Sequence, residues 1–328
     1  MEKLPFKRII THNDFDGIVS AALCSYALKV NYIFFTGPVA ITRNSVSIST
    51  EDVVCDLPYP LECGMWFDHH EGNLEDLKYR HIDPETIPGR FAIKDSCARV
   101  IYEFFSLKVK FPSYIKETVE QTDIIDGFKY NSVDEWREMT PGKLVDATLK
   151  IPYDSPKKKN LYMKELVFWI RNNPLEKIVN YRPIREKLKI YEQEEKRMLD
   201  LIQKDSYFHE KDLDKEIVIL DFTHHNRKPQ VIKNLAFIHY PNSLAVLEVY
   251  NLFEQGKKST NLGFSISLSV NMNCKSHSKN LGEIMRTLNI GDGHPGAAAG
   301  VVRAKSKKEM IAKKEQVIDQ ILTLWEKQ

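Results

Sequence analysis

Thr11-His12-Asn13-Asp14-Phe15-Asp16-Gly17 decides the fold, because it joins an apolar run, Arg8-Ile9-Ile10, to a segment whose apolar residues recur at helical spacing, Gly17 to Leu28. A strand that feeds straight into a helix opens a βαβ unit. On an extended segment alternate side chains share a face, so His12, Asp14 and Asp16 point into one place. Two carboxylates and an imidazole held together are unfavourable unless a cation compensates them. Carboxylate oxygen with imidazole nitrogen suits manganese, magnesium or another borderline-hard divalent ion. Gly17 then lets the backbone turn sharply into the helix. An Asn/Asp-rich turn with Asp16 capping that helix is the ordinary alternative for the same residues.

Outward from this stretch, Tyr32 to Phe35, Asp52 to Cys55 and Met65 to Phe67 read as further strands. Helix and strand in alternation predict a parallel α/β sheet. The chain after the first, third and fourth strands carries polar groups: His12, Asp14 and Asp16, then Asp56, then Asp68-His69-His70. Ligands of open α/β sheets bind at the carboxyl ends of strands, so these groups should converge. Asp56 alone reads as a turn residue. Adjacent histidines after a Trp-Phe strand end have no packing role that Leu or Ser would not serve better. Asp123 lies in the apolar helical stretch ETVEQTDIIDGF, where an unpaired carboxylate is costly to bury. An exposed helical position is its ordinary role, and Asp126 is a competing candidate from the same stretch.

Residues 113–180 read as helical, with Pro174 and Pro183 as breakers, and Arg185 to Lys204 is a long charged amphipathic helix suited to connect domains. A second alternation follows through Ile217–Leu220, Leu244–Val249 and Phe264–Val270. A helix over Leu281–Leu288, a glycine-rich Gly291–Gly300 segment and a helix from about Lys307 close the chain. The expected domains are 1–180, a helical connector 181–210, and a smaller α/β domain 211–328. Ser96 reads as a helix N-cap. His224-His225 has no acidic partner nearby in sequence and reads as loop, and Lys157-Lys158-Lys159 reads as a solvated turn.

Across 328 residues the net charge of +2 excludes a basic carpet for nucleic acid but permits a local basic groove. The five cysteines (Cys24, Cys55, Cys63, Cys97, Cys274) are widely spread, without CxxC spacing or a disulfide framework, which predicts a reducing, cytoplasmic setting. No apolar run approaches membrane-spanning length, and the N-terminus reaches a polar motif too quickly for a secretory signal.

Taken in order, His12-x-Asp14-x-Asp16-Gly17, Asp56 after a strand, Asp68-His69-His70 and Asp123 in a helix resemble the motifs of the DHH phosphoesterase family. Gly291-Asp292-Gly293-His294-Pro295-Gly296-Ala297-Ala298-Ala299-Gly300 is similar to the GGGHxxAAG signature of the DHH-associated C-terminal domain. That family includes inorganic pyrophosphatases, exopolyphosphatases, RecJ-type exonucleases and nanoRNases. The resemblance implies a parallel-sheet DHH domain followed by a smaller α/β domain. It implies two divalent cations, manganese foremost and magnesium as the alternative, with His12 and Asp14 on the first metal and Asp16 on the second. Asp56 would bridge, His69 and Asp123 would complete the ligands of the second metal, Asp68 would orient a histidine, and His70 would contact phosphate. The catalytic residues would thus be Asp56, His69 and His70. Gly293, His294, Gly296, Ala298 and Gly300 would face the substrate.

Two departures stand out. His12 lies only two residues before Asp14, a spacing closer to the RecJ-like and polyphosphatase-like branches. The Arg that nanoRNases place after a VSL-like strand is missing from Ile266-Ser267-Leu268-Ser269-Val270, with Lys275, Lys279 or Arg286 as possible substitutes. The expected function is hydrolysis of phosphodiester bonds in short oligonucleotides or linear dinucleotides by metal-activated water. Tyr250 and Phe253 are rings available for base stacking. An exopolyphosphatase and a catalytically silent nucleotide or nucleic-acid binding module are the alternatives. A homodimer is compatible with the reading, and catalysis is expected to require the C-terminal domain to close over the metal-binding one.

Overall fold

Arg8–Thr11 forms β1 of the computed structural model, and the Phe15–Leu28 helix follows it directly. The structure describes residues 6–273 and 276–328, so Cys274 and Lys275 lie outside the described residues. Four more strands join β1: β2 (Ile33–Phe35), β3 (Asp52–Cys55), β4 (Met65–Asp68) and β5 (Gly89–Phe91). All pair in parallel, in the order β2-β1-β3-β4-β5. The period of two distributes their side chains. Ile9, Val53, Cys55 and Phe67 face a core shared with the Phe15–Leu28, Cys97–Ser106 and Pro156–Asn172 helices. Ile10, Val54 and Trp66 face the opposite one, with Ile41, Leu57 and Leu77. β3 is buried at every position, which is why its run is apolar on both faces.

The sequence did not signal β5, a three-residue Gly-Arg-Phe segment. It pairs with β4 because Gly89 takes φ +118 where a Cβ would meet the Trp66 carbonyl oxygen at 2.0 Å. The helical stretch resolves into the Tyr114–Asp126, Val133–Arg137, Pro141–Leu149, Pro156–Asn172 and Leu175–Ile178 helices. Pro183 occupies the first turn of the Arg182–Asp205 helix and so begins a helix rather than breaking one.

Two compact units emerge. One holds the described residues up to Lys129 together with Met139–Glu192, and the other holds Tyr130–Glu138 and Gln193–Gln328. The division falls inside the Arg182–Asp205 helix, and the Val133–Arg137 helix belongs to the second unit, where the Arg137 guanidinium grips Glu195 at 2.7 and 2.8 Å.

The second unit is a six-stranded mixed sheet. Its strands are β6 (Ser206–Tyr207), β7 (Ile217–Asp221), β8 (Ala245–Glu254), β9 (Lys257–Leu268), β10 (Gly291–His294) and β11 (Ala297–Val302), in the order β10-β11-β9-β8-β7-β6. Among the described residues, β7 and β8 pair in parallel and the other neighbours are antiparallel. Ile217, Ile219, Leu247 and Phe264 pack with Ile284 and with Ile318 and Ile321 of the Lys307–Glu326 helix. Val218, Leu220 and Val246 on the other face pack with Phe237, Met198 and Ile202. Among the described residues, no helix is long and apolar enough to cross a membrane.

Candidate metal centre

The strand order reverses between β1 and β3, and the segments leaving these strands lie at the switch point where parallel sheets bind ligands. Asp14 caps the Phe15–Leu28 helix, accepting from Gly17 N at 2.9 Å, and its other oxygen lies 2.5 Å from His12 Nδ1. Gly17 has a reason other than the sharp turn expected of it. A Cβ there would lie 2.3 Å from the His12 carbonyl oxygen, so glycine permits the close packing that sets His12 beside Asp14. Asp16 caps a different helix from the one anticipated: its oxygens accept from Cys97 N and Ala98 N at 2.7 and 2.8 Å, at the start of the Cys97–Ser106 helix. Ser96 is that helix's N-cap, accepting from Arg99 N at 3.0 Å.

Asp56, directly after β3, is 2% exposed and adopts φ +56. Its Oδ1 lies 3.6 Å from His69 Nε2 and its Oδ2 lies 3.7 Å from His12 Nδ1, too long for hydrogen bonds. His69 donates its Nδ1–H to the Lys94 carbonyl oxygen at 3.0 Å, which turns Nε2 toward Asp16, Asp56 and Asp126 at 3.7, 3.6 and 3.4 Å. Asp68 is fully buried, and its oxygens engage His70 Nδ1 at 2.8 Å and Asn73 Nδ2 at 2.6 Å. The histidine it orients is therefore His70.

Asp123 is turned elsewhere. It accepts from Ser96 Oγ at 2.6 Å and from Arg99 Nε and Nη2 at 2.9 and 2.5 Å. The carboxylate that the Tyr114–Asp126 helix brings to His69 is Asp126, its last residue. Three groups of donors result: His12-Asp14-Asp56, Asp56-His69-His70 and Asp16-His69-Asp126, in each of which the donor atoms lie within 4.8 Å of one another.

Two observations show that these residues fit divalent ions. Asp56 Oδ2 and His69 Nε2 are buried without a hydrogen-bond partner, a costly arrangement unless something else engages them. Among the described residues, no Lys or Arg nitrogen comes within the 4.0 Å ion-pair limit of Asp14, Asp16, Asp56 or Asp126. The crowding perturbs several of the partners. Burial, reinforced by the charges of Asp56 and Asp126, pushes the Asp16 carboxyl well above its usual range. Burial and the Asp56 charge raise Asp126 to about 7. For His12, burial opposes the charged form, but Asp14 and Asp56 override it and raise the imidazole to about 10. His69 likewise rises to about 10 against burial, through Asp56 and Asp16. Carboxylates gathered beside imidazoles, with no lysine or arginine close by among the described residues, suit a divalent ion that would replace the imidazole protons.

In the second unit, the glycine-rich segment is a hairpin, with Gly291 opposite Gly300 and His294 opposite Ala297. Gly293 and His294 are exposed and Gly296 is half-buried, whereas Ala298 packs its methyl into the core and Gly300 lies against Ile290. Of the cations offered in place of the missing Arg, Arg286 reaches this hairpin, donating to Asp292 Oδ1 at 2.5 Å and to the Gly293 carbonyl oxygen at 3.0 Å. Lys279 instead donates to the Trp325 carbonyl oxygen at 2.6 Å, and Lys275 lies outside the described residues. Tyr250 is not free for stacking: its ring lies against Gly263 and under the Lys228 ammonium at 3.7 Å from the centroid. Phe253 is 41% exposed. The His224-His225 pair, read from sequence as a loop lacking acidic partners, has one in space, Asp205.

No family model and no curated protein matches the sequence. The fold is similar to several solved structures. The pGpG-specific phosphodiesterase PggH from Vibrio cholerae matches at 21% identity and a TM-score of 0.72, over 97% of this chain and 99% of that one. RecJ from Thermus thermophilus in complex with Mn2+ matches at 13% identity and 0.55, over 98% of this chain and 53% of RecJ. The DHH domain of a protein described as a member of a ribosomal-protein family matches at 10% identity and 0.56, over 97% and 86%. The chain has the fold of DHH-domain proteins.

Proposed function

We propose that the chain is a metal-dependent phosphoesterase that hydrolyses the phosphodiester bond of linear dinucleotides or very short oligonucleotides. The observation that carries this reading is Asp56, whose partnerless Oδ2 belongs to a carboxylate shared by donor groups on either side of it. In this reading His12, Asp14 and Asp56 hold one divalent ion, and Asp16, His69, Asp126 and the same Asp56 hold a second. Asp123 stands outside that set because the Arg99 guanidinium already neutralises it and it joins none of the donor groups. Two such ions, when bound, neutralise phosphoryl oxygens and activate the attacking water, and manganese or magnesium suits the oxygen-rich donors.

The protein's own groups do the positioning. The Lys94 carbonyl fixes the His69 ring so that Nε2 faces the carboxylates, where a divalent ion would take the place of its proton. Asp68, itself held by Asn73, holds His70, half-exposed in its side chain, where it can donate to a phosphate oxygen. The exposed His294 ring and the nearby Arg286 guanidinium offer donors for substrate phosphate or ribose. The dinucleotide class is favoured by likeness over nearly all of both chains to a pGpG-specific phosphodiesterase.

Purified protein with Mn2+ should convert pGpG or pApA to mononucleotides faster than it degrades longer RNA, single-stranded DNA or polyphosphate. A chelator should stop the reaction. Asp126→Asn should weaken Mn2+ binding more than Asp123→Asn does. Turnover of polyphosphate alone would move the activity to phosphoanhydrides, and binding without turnover of any of these would remove the enzymatic reading.

A further inference from the structure

Asp205 is the last residue of the 24-residue Arg182–Asp205 helix, and its side chain is only 2% exposed. That is a poor place for a bare carboxylate. The C-terminus of a helix carries the negative end of its dipole, and burial disfavours the charge further. Among the described residues, the basic side chains within ion-pair distance of Asp205 are the imidazoles of His224 and His225. Each turns its Nε2 to a different oxygen: His224 to Oδ1 at 3.3 Å and His225 to Oδ2 at 2.6 Å. Donor atoms of all three residues lie within 4.8 Å of one another.

The loop that presents the histidines is built from outside the cluster. Thr223 N and Oγ1 donate to Asp221 Oδ1 at 2.9 and 2.5 Å. Lys258 Nζ donates to the carbonyl oxygens of Thr223 and His225 at 2.7 and 2.8 Å, so this ammonium holds the backbone. Phe222 meets the His225 ring edge-on at 5.8 Å. With the backbone fixed, the two rings sit 4.2 Å apart and both Nε2 atoms converge on one carboxylate.

We propose that Asp205, His224 and His225 form a site for a divalent transition ion of the zinc type in the second unit, tying the end of the Arg182–Asp205 helix to the loop after β7. Two imidazoles and a carboxylate are a donor set that zinc takes readily, with a fourth position for water. Bonds of about 2.0–2.1 Å in a tetrahedron place donor atoms about 3.3 Å apart; His224 Nε2 and Asp205 Oδ1 stand at 3.3 Å, whereas His225 Nε2, hydrogen-bonded to Asp205 Oδ2 at 2.6 Å, would give up that proton and draw back to admit the ion. His224 is 55% exposed in its side chain, which leaves an open side for that water and a path of entry. The inference is independent of the activity proposed for the first unit.

The full chain, stripped with a chelator, is titrated with Zn2+ and Co2+. Wild-type protein should bind one more zinc equivalent than Asp205→Asn or His225→Gln, both close in shape to the residues they replace. A double variant of the first unit, Asp56→Asn/His69→Gln, should keep one tight equivalent, and its Co2+ complex should show the intense visible absorption of a low-coordinate site. Zinc should raise the Tm of this double variant and lose that effect on adding Asp205→Asn. Equal zinc stoichiometry in wild type, Asp205→Asn and His225→Gln would overturn the site. So would a zinc-soaked wild-type crystal without an anomalous peak beside Asp205, whether or not the variants fold.

Discussion

Asp56 combines burial, a left-handed backbone and an oxygen without a hydrogen bond. Each is unfavourable, and their coincidence at one residue is what the proposed metal-bridging role of Asp56 would require. The left-handed region costs a residue with a Cβ roughly 1–2 kcal/mol, less for Asn and Asp, whose short polar side chains bond locally. Asp56→Asn should therefore keep the fold. Without divalent ions its stability should stay close to that of wild type, because relief of repulsion from the Asp16 and Asp126 carboxylates is set against loss of attraction to the His12 and His69 imidazoles, while turnover falls to background. Asp56→Ala should lose turnover too and be about 1 kcal/mol less stable than the Asn variant. Urea denaturation in chelator and a phosphodiesterase assay separate the two effects, and near-normal turnover in Asp56→Asn would take the residue out of the mechanism.

Elements are tied together by a small number of charged contacts whose pH dependence can be foreseen. At the end of β7, Asp221 accepts from Lys314 of the Lys307–Glu326 helix at 2.6 Å, with side chains 19% and 15% exposed. Burial raises the Asp221 carboxyl, but Lys314 and Thr223 outweigh it and hold the group below its usual range. Burial lowers Lys314, and Asp221 outweighs that in the opposite direction. The carboxylate thus contributes stability above its unfolded pKa of about 3.9, lost as pH falls through the depressed folded value. The ammonium contributes below its unfolded pKa of about 10.4, lost as pH rises through the raised folded value. Lys314→Met should cost roughly 1–3 kcal/mol at neutral pH by leaving a mostly buried carboxylate short of a partner. The loss should shrink below about pH 4 as that carboxylate is protonated. Urea midpoints at pH 3.5 and pH 7 test this, and an equal loss at both would assign the effect to packing of the lysine stem.

Taken whole, the chain divides its chemistry between two units: the candidate ligands lie between His12 and Asp126, and the exposed His294 hairpin lies in the other unit. His294→Ala should leave Mn2+ affinity unchanged and lower kcat/KM on a linear dinucleotide by on the order of tenfold, about 1.4 kcal/mol of transition-state stabilisation. Loss of an ion, or wild-type kinetics, would remove the hairpin from substrate binding. By itself the sequence determined the parallel sheet and the polar groups that follow its strands, because periodicity and the order of motifs are local properties. Val-Val-Cys before Asp56 and Trp-Phe before Asp68 could be read without knowing their neighbours. Tertiary structure alone decided the partners. Asp123 and Asp126 lie three residues apart on one helix, a spacing that gives them similar directions, and only the arrival of Arg99 and Ser96 from another helix draws Asp123 off the cluster. β5 exists because β4 offers it an edge, and Asp205 meets His225 across 20 residues. Spacing sets where a side chain points along its own element, but what it meets depends on where distant segments of the chain come to rest.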